Sequence, residues 1–335
     1  MSEPQPCAAG DRAPTQRDAW GLERFALGIA LGGARTPADW QAQLRIVERA
    51  DALGFHSVWL PEMHFAPGVT ASPLLAHAAF AARTTRIRLA TTSVLLPIHE
   101  PLALADEVAA LDRASRGRVV LGLGRGFREP LFRAFGVDPK SKRARFDACL
   151  DAMLDAWAGG ADGSVRAPWQ HPHPPLAVAA FGPLGLAQAA RRALPYLPSP
   201  IESTRQLEAN LAAHRAGLPP DVDPATLVRP AMRTVHVAAS DADADRVLDL
   251  LRREVRGLRG AGARAPRAIA RAVDEDVEER AIVGTAQRVV DALGALRERL
   301  AIDLVVAAAP FSGLAPSERE DALERLAASV LPALA

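Results

Sequence analysis

Two short stretches of the sequence hold side chains that could do chemistry. In the first, Arg125 stands between Gly124 and Gly126. Glycines let backbone amides approach an anion closely and a guanidinium can donate two parallel hydrogen bonds to it, so this stretch predicts a phosphate site. In the second, Glu62 and His64 could act as a proton-transfer pair. Each stretch also fits a structural role: a surface arginine in a glycine turn, and a histidine satisfied by a backbone carbonyl beside a capping glutamate.

Several other catalytic motifs are missing from the sequence. It contains no GxSxG elbow, no Walker A lysine and no HExxH pair. One stretch, from Gly122 to Phe127, approaches a dinucleotide fingerprint, but Phe127 occupies the place of the third glycine. His171 and His173 lie in a proline-rich loop without a nearby cysteine, which favours a solvated loop over a metal site. We therefore expect neither a dinucleotide site nor a bound metal.

The candidate residues must be positioned by the strands that precede them. Eight continuous apolar runs are typical of strands buried on both faces, and segments with helical spacing separate nearly all of them. The predicted strands cover residues 25–31, 57–60, 87–96, 119–123, 176–180, 196–197, 229–239 and 302–308. Eight strand–helix units in a chain of 335 residues predict a (β/α)8 barrel, with a doubly wound sheet as the alternative.

The barrel hypothesis also divides the chain. We expect a flexible tail over residues 1–22 and one barrel domain over residues 23–335, with insertions after the fourth and seventh strands at 159–175 and 259–283. In such a barrel the residues that follow the strands meet at one mouth. Those that follow the second to fifth strands are Glu62, Met63 and His64; Thr92, Ser93 and His99; Arg125 and Gly126; and Phe181 and Gly182.

Charge and composition exclude some classes of partner. Forty basic and 39 acidic side chains leave a net charge of +1, so the sequence encodes no general attraction to nucleic acid or to an anionic membrane. Two cysteines form no disulfide framework, the first residues lack the apolar core of a secretory signal, and no apolar run is long enough to span a membrane. We expect a cytoplasmic protein that binds small molecules.

At the stretches named above, the sequence resembles the luciferase-like flavin monooxygenases, and among them the bacterial luciferase (alkanal monooxygenase) branch. The strongest stretches are residues 54–65, 91–97 and 117–136, and Gly284-Thr285 before the penultimate helix also fits. The resemblance runs from about residue 25 to residue 334. It implies a (β/α)8 barrel that binds reduced FMN at its mouth and activates O2 as a flavin C4a-hydroperoxide, which oxygenates an organic substrate.

The resemblance also implies roles for individual residues. It makes Arg125 the residue that holds the FMN phosphate, with Gly126 and the amide of Phe127 beside it. It implies a non-proline cis peptide at Ser93, under the flavin ring, which is either the Thr92–Ser93 bond or the Ser93–Val94 bond.

Departures from the family pattern concern the rest of the site. The luciferase branch has two successive histidines here; Met63 stands in place of the first, and this sequence keeps the second as His64. A thioether cannot exchange protons, so Met63 suits an apolar substrate wall better than proton transfer. Phe181 and Gly182 replace a Glu-Ser pair near the phosphate, where the Gly182 amide could still serve. Gly124 replaces a cysteine near the reactive flavin carbon, which predicts open room there. We expect Met63, His99 and Tyr196 in the substrate pocket.

Three hypotheses follow from the resemblance and its departures. The first is a monooxygenase that uses FMNH2 and O2 on an apolar organic substrate, in a setting such as secondary-metabolite biosynthesis, with FMNH2 supplied by a separate flavin reductase and with a homodimer as the assembly. The second is an F420-dependent oxidoreductase of the same superfamily. The third is a flavin-binding protein without turnover, which Met63 and Phe181 motivate.

Overall fold

The computed structural model describes residues 15–65, 69–159, 165–260, 276–308 and 314–334. The strands are β1 (Ala26–Ala30), β2 (Ser57–Leu60), β3 (Arg88–Thr91), β4 (Val94–Leu95), β5 (Val119–Gly124), β6 (Leu176–Ala179), β7 (Tyr196–Leu197), β8 (Pro230–Val237), β9 (Ala281–Gly284) and β10 (Leu304–Ala308). The helices are α1 (Gln16–Trp20), α2 (Pro37–Leu53), α3 (Pro73–Ala81), α4 (Pro101–Ala114), α5 (Glu129–Ala134), α6 (Lys142–Trp157), α7 (Pro183–Arg191), α8 (Thr204–Ala216), α9 (Asp241–Gly260), α10 (Ala286–Leu300), α11 (Pro316–Arg325) and α12 (Leu331–Leu334).

Local sequence explains where the helices begin and end. Thr36 caps α2 through the amide of Asp39, whose carboxylate accepts in return from the Thr36 amide, and Pro37 takes the first helical position. Gly54 ends the same helix with a φ of 88°, a conformation that costs glycine little. Both β5 and β8 are buried along their whole length, as expected for strands covered on both faces. No helix among the described residues is both long and apolar enough to cross a membrane.

The sheet is parallel throughout and curled. Its strand order is β7-β6-β5-β3-β2-β1-β10-β8-β9, with β4 paired to β5. The edge strand β7 also lies in contact with β8, which brings the two ends of the curled sheet together. All eight predicted strands form, in the order that a (β/α)8 barrel requires.

Two details of the strands differ from the prediction. The strand predicted over residues 87–96 is split into β3 and β4 by the cis peptide Thr92–Ser93, which selects one of the two bonds left open by the sequence. Strand β9 was not predicted. It pairs with the last four residues of the long strand β8, on the edge opposite β10, where the sequence predicts the end of the second insertion.

The predicted tail needs a correction at its end. Residues 16–20 form α1, and Trp20 is fully buried, stacks on Trp59 with 6.3 Å between ring centroids, and accepts a hydrogen bond at its carbonyl from His56. Trp20 and Leu22 join the apolar cluster inside the sheet, so apolar burial overrides the polar character of the flanking residues. Residues 1–14 lie outside the described ranges.

The two predicted insertions are described to different extents. From residue 165, the first runs beneath the starts of β3 and β5, where Gln170 donates to Asp112 and to the Val119 carbonyl, each at 2.8 Å. This part therefore lies at the end of the sheet opposite the mouth. The second is described only at its ends, in α9 and from residue 276 to β9.

Candidate functional site

A cavity of about 1410 Å³ opens at the carboxyl ends of the strands. It exceeds the range of roughly 300–1,000 Å³ that holds one drug-sized ligand, so it has room for a cofactor and a second molecule. Ten of the residues predicted for the site line it: Glu62, Met63, His64, Thr92, Ser93, Arg125, Gly126, Phe127, Phe181 and Gly182.

Glu62 is the buried centre of a hydrogen-bonded cluster. Its Oε1 lies 2.8 Å from Nε2 of His64 and 2.9 Å from Nε2 of His99, and its Oε2 accepts from the Leu95 amide at 2.7 Å. Burial alone would raise the pKa of Glu62, but the hydrogen bonds from His99, Leu95 and His64 together with the charge interaction with His99 outweigh it and lower the pKa. Glu62 is therefore a carboxylate at neutral pH, and it orients both imidazoles.

His64 connects this cluster to the cavity and to an aromatic rim. Its ring meets Phe135 edge-on with 5.0 Å between centroids, and Phe65 lies 5.7 Å from both rings. Met63 is 43% exposed and also lines the cavity. The imidazole thus has a carboxylate on one side and an apolar surface on the other, which suits proton transfer next to an apolar ligand.

Three cations, Arg125, Lys142 and Arg143, form a second region of the cavity wall, here called the cationic corner. Arg125 donates to Gln188 Oε1 at 3.1 Å and to the Ala179 carbonyl at 3.2 Å. Burial and the charge of Arg143 lower the pKa of Arg125, and burial with the charges of Arg143 and Arg125 lowers that of Lys142. These positive charges repel one another, so an anion bound among them would be stabilised.

Two carboxylates act on the cationic corner through their charge, Asp147 on Arg125 and Glu129 on Lys142, and Asp147 has another partner. Asp147 accepts from Arg192 Nε at 2.9 Å, and Arg192 also binds Asp151. Within the described ranges, none of the three cations of the corner is in an ion pair with a carboxylate. The corner therefore keeps its charge available to a ligand.

The first turn of α7 closes the cationic corner. Gly182 precedes the helix with a φ of 83°, and Gly185 is so close to Arg125 that a Cβ there would lie 2.4 Å from Nη2. Glycine is thus required at residue 185 for the guanidinium to lie against the helix. The free amides of a helix N-terminus favour an anion, which is consistent with the predicted role of the Gly182 region.

The space beside Gly124 is not open, which corrects the expectation for that residue. A Cβ on Gly124 would lie 2.0 Å from Ser93 Oγ, so the serine side chain already occupies the room that the missing cysteine was expected to leave. Thr92 points across the cavity, with Oγ1 3.9 Å from the sulfur of Met232. The Thr92–Ser93 peptide thus forms part of the cavity floor.

Two predicted pocket residues lie elsewhere. Among the described residues that line the cavity, His99 and Tyr196 do not appear. His99 binds Glu62 instead, and Tyr196 is buried and donates to Glu202. Side chains alternate along a strand, so Leu197 faces the cavity and its neighbour Tyr196 faces the helices.

Sequence reasoning missed two of the three cations of the cationic corner and much of the apolar wall. Lys142 and Arg143 begin α6 and do not follow a strand directly, so a search at strand ends could not find them. One signal was present, because Lys142 is one of only two lysines in the chain. Apolar residues of β8, of α11 and of the chain on either side of α11 also line the cavity: Met232, Val235, Leu314, Leu323 and Leu326.

Comparisons with known proteins identify the family of the chain. A family model described as luciferase-like monooxygenase matches residues 24–303. Limonene 1,2-monooxygenase from Rhodococcus erythropolis is 40% identical over 118 residues, which are 35% of this chain and 30% of that protein. The alkanal monooxygenase alpha chain of the Kryptophanaron alfredi symbiont is 30% identical over 125 residues, 37% of this chain and 34% of that one. The matched stretches span half or less of the length of such curated relatives.

Solved structures match over nearly the whole chain. Monooxygenase RslO1 from Streptomyces bottropensis is 30% identical with a TM-score of 0.73, over 93% of this chain and 100% of that one. The oxygenating constituent of 3,6-diketocamphane monooxygenase from Pseudomonas putida, solved with FMN, is 20% identical with a TM-score of 0.75, over 93% and 99%. The coenzyme F420 dependent tetrahydromethanopterin reductase of Methanopyrus kandleri is 19% identical with a TM-score of 0.69, over 93% and 100%. The last two share the fold.

Proposed function

The chain belongs to the luciferase-like monooxygenase family, and from that premise we propose that it is a monooxygenase that uses reduced FMN and O2 on an apolar organic substrate. The observation that carries the proposal is the division of the cavity. A cationic corner without carboxylate partners lies at one side, a carboxylate–imidazole cluster at another, and apolar side chains form much of the remaining wall.

The residues present fit FMN at several points. Arg125, Lys142 and Arg143 would hold the phosphate, with the first turn of α7 beside them. The floor at Thr92–Ser93 would lie under the flavin ring. Bound there, reduced FMN would supply the electrons with which one oxygen atom of O2 enters the substrate and the other leaves as water.

The protein's own side chains would transfer protons and exclude water. Glu62 keeps its charge and holds His64 at 2.8 Å, so an imidazole faces the cavity in a fixed orientation. It would donate or accept a proton at Nδ1 or, through Glu62, share one with His99. Met63, Phe65 and Phe135 would shield this region from water.

An apolar substrate fits the other wall. Met63, Met232, Leu323 and Leu326 face the cavity, and thioethers adapt to irregular apolar shapes. The volume of about 1410 Å³ leaves room for such a molecule beside a flavin. A separate flavin reductase, a cytoplasmic location and a homodimer remain parts of this proposal.

Binding and turnover test the proposal directly. The protein is titrated with FMN, FMNH2 and reduced F420, and turnover on a panel of apolar substrates is compared between FMNH2 with O2 and reduced F420 without O2. Saturable FMNH2 binding and O2-dependent oxygenation are expected. Turnover with F420 alone would favour the second hypothesis, which the shared fold of the F420-dependent reductase supports, and flavin binding without any turnover would favour the third.

His64 provides the test of the proton-transfer step. His64→Ala should lower kcat at least about tenfold with little change in FMNH2 affinity, because general acid–base catalysis contributes at least about 100-fold and water can replace part of it. His64→Gln, which keeps a polar group beside Glu62, is the control for structure. Full activity of His64→Ala would make His64 a structural residue.

A further inference from the structure

A second cavity, of about 300 Å³, lies on the other face of β8. It is here called the outer cavity, and it lies among β8, β9, the start of α8 and one side of α10. Met232 of β8 lines the large cavity at the carboxyl ends of the strands, while the next residue, Arg233, lines the outer cavity. One strand therefore separates the two spaces, and nothing in the proposed function uses the outer one.

Arg233 is unusual because it is buried and incompletely bonded. It is 1% exposed, and its Nη1 donates to the Met232 carbonyl at 3.0 Å. Within the described part of the chain, Nε and Nη2 are buried without any hydrogen-bond partner. Burial lowers the pKa of Arg233 to about 10, so the side chain stays charged at neutral pH. A buried charged donor without an acceptor is costly, and such groups normally bind an acceptor.

The nearest carboxylate does not satisfy these two nitrogens. Glu202 is 2% exposed and its charge stabilises the charged form of Arg233. Its oxygens, however, accept from the Tyr196 hydroxyl, from Asn210 Nδ2 at 2.8 Å and from the Ser199 amide at 2.9 Å. Glu202 thus lies near Arg233 without bonding to it, and Nε and Nη2 keep their capacity to bind another acceptor.

Other positive groups face the same space. Thr204, the first residue of the 13-residue helix α8, lines the outer cavity, so the positive end of that helix lies at its wall. Arg280 is buried and lines it as well. At the rim, Arg288 pairs with Asp241 and Arg299 with Glu208, while Glu278 pairs with Arg252 and Glu279 is exposed.

We propose that the outer cavity is a binding site for a small oxyanion, a phosphate or a carboxylate, which Nε and Nη2 of Arg233 hold as a two-pronged donor. The guanidinium fork matches two oxygens of either group, and the N-terminus of α8 adds a favourable field. The volume of about 300 Å³ admits a small anion. This site is independent of the flavin proposal.

Titration calorimetry with inorganic phosphate and, separately, with acetate tests the site and distinguishes the two anions. Phosphate is also expected in the cationic corner, so wild type is compared with Arg125→Ala and with Arg233→Met. We expect Arg125→Ala to retain one saturable site, and Arg233→Met to weaken that site at least about tenfold, the loss of a charged hydrogen-bonded contact.

The variants that lose anion binding distinguish the outer-cavity proposal from the flavin proposal. A site that is insensitive to Arg125→Ala and lost in Arg233→Met supports the outer cavity, whether or not the cationic corner binds phosphate. Oxyanion binding that Arg233→Met leaves unchanged, or no saturable binding of either anion to Arg125→Ala, overturns it and means that water satisfies Arg233.

A second variant keeps the test valid if Arg233→Met does not fold. Ala295 is exposed on α10 and lines the outer cavity, so Ala295→Trp should fill the space without touching the buried charge. Ala212→Trp, on an exposed position of α8 that does not line the cavity, is the matched control. Loss of anion binding in the first and not in the second supports the site; equal binding in both contradicts it.

Discussion

Strand β5 carries one arginine before it and one after it, and their surroundings are opposite. Arg118 makes five hydrogen bonds with its guanidinium, to Thr84 Oγ1 and to the carbonyls of Ser115, Ile87, Ala81 and Thr84. Arg125 makes two and lies among other cations. Burial lowers the pKa of both, but the next contribution differs: Asp51 raises the pKa of Arg118, and Arg143 lowers that of Arg125 further.

The difference shows how one strand serves stability at one end and binding at the other. At the amino end, polar groups are saturated by the protein itself, so a change there should affect folding. At the carboxyl end, charge is left for a ligand, so a change there should affect binding. This division is usual in barrels, and it can be tested residue by residue.

The largest effect is expected at the amino end. Arg118→Ala removes five hydrogen bonds and leaves their acceptors without this donor, so we expect the free energy of unfolding in urea to fall by about 3 kcal/mol or more. Arg113→Ala, on the exposed last turn of α4, should change it by less than about 0.5 kcal/mol. A loss below about 1 kcal/mol for Arg118→Ala would remove the contrast between the two ends.

The next effect concerns binding at the carboxyl end. Arg125→Ala should weaken FMNH2 affinity roughly ten- to hundredfold, which corresponds to about 1.5–3 kcal/mol, while the free energy of unfolding changes much less than in Arg118→Ala. Arg133→Ala, an exposed arginine of α5 that does not line the cavity, is the control. Unchanged affinity in Arg125→Ala would mean that the phosphate does not bind at the cationic corner.

A smaller loss should follow from moving Arg125 without removing it. In Gly185→Ala the new Cβ would lie 2.4 Å from Nη2 and 2.7 Å from Nη1, so the guanidinium must shift. Because its charge remains, we expect a loss of FMNH2 affinity below that of Arg125→Ala, by about tenfold at most. Gly294→Ala in α10, where nothing lies within 4 Å of the new Cβ, should leave affinity unchanged. An equal affinity in both variants would show that the exact place of Arg125 is unimportant.

The smallest expected effect is on the pH dependence of the free energy of unfolding, at the amino end of the strands. Asp51 accepts from the amides of Thr85, Arg86 and Ile87; burial raises its pKa, but these hydrogen bonds outweigh it and lower the pKa. A lowered folded pKa means that this stabilisation is complete above the unfolded value of about 3.9 and is lost as pH falls through the folded value. The unfolding free-energy difference between wild type and Asp51→Asn should therefore shrink below about pH 4. A constant difference down to strongly acidic pH would contradict it, and Asp106→Asn on exposed α4 is the control.

The sequence predicted the eight strands and placed Glu62, His64 and Arg125 at one mouth, because continuous apolar runs and strand ends are local features. The family inferred from residues 54–65, 91–97 and 117–136 is confirmed. The sequence could not predict that Ser93 fills the space beside Gly124, or that Tyr196 faces away from the cavity. Both depend on how two strands lie against each other, which no spacing along the chain records.

By itself, the sequence determined the parallel α/β architecture and the types of group at the strand ends, since these follow from hydrophobic patterning and turn residues. Tertiary structure alone decided which charges meet. It brought Lys142 and Arg143 of α6 to Arg125, gave Glu62 two imidazole partners, and left Arg233 buried with two unbonded nitrogens. The reason is physical: the pKa of a group and the affinity of a site depend on distances through space, and folding sets those distances.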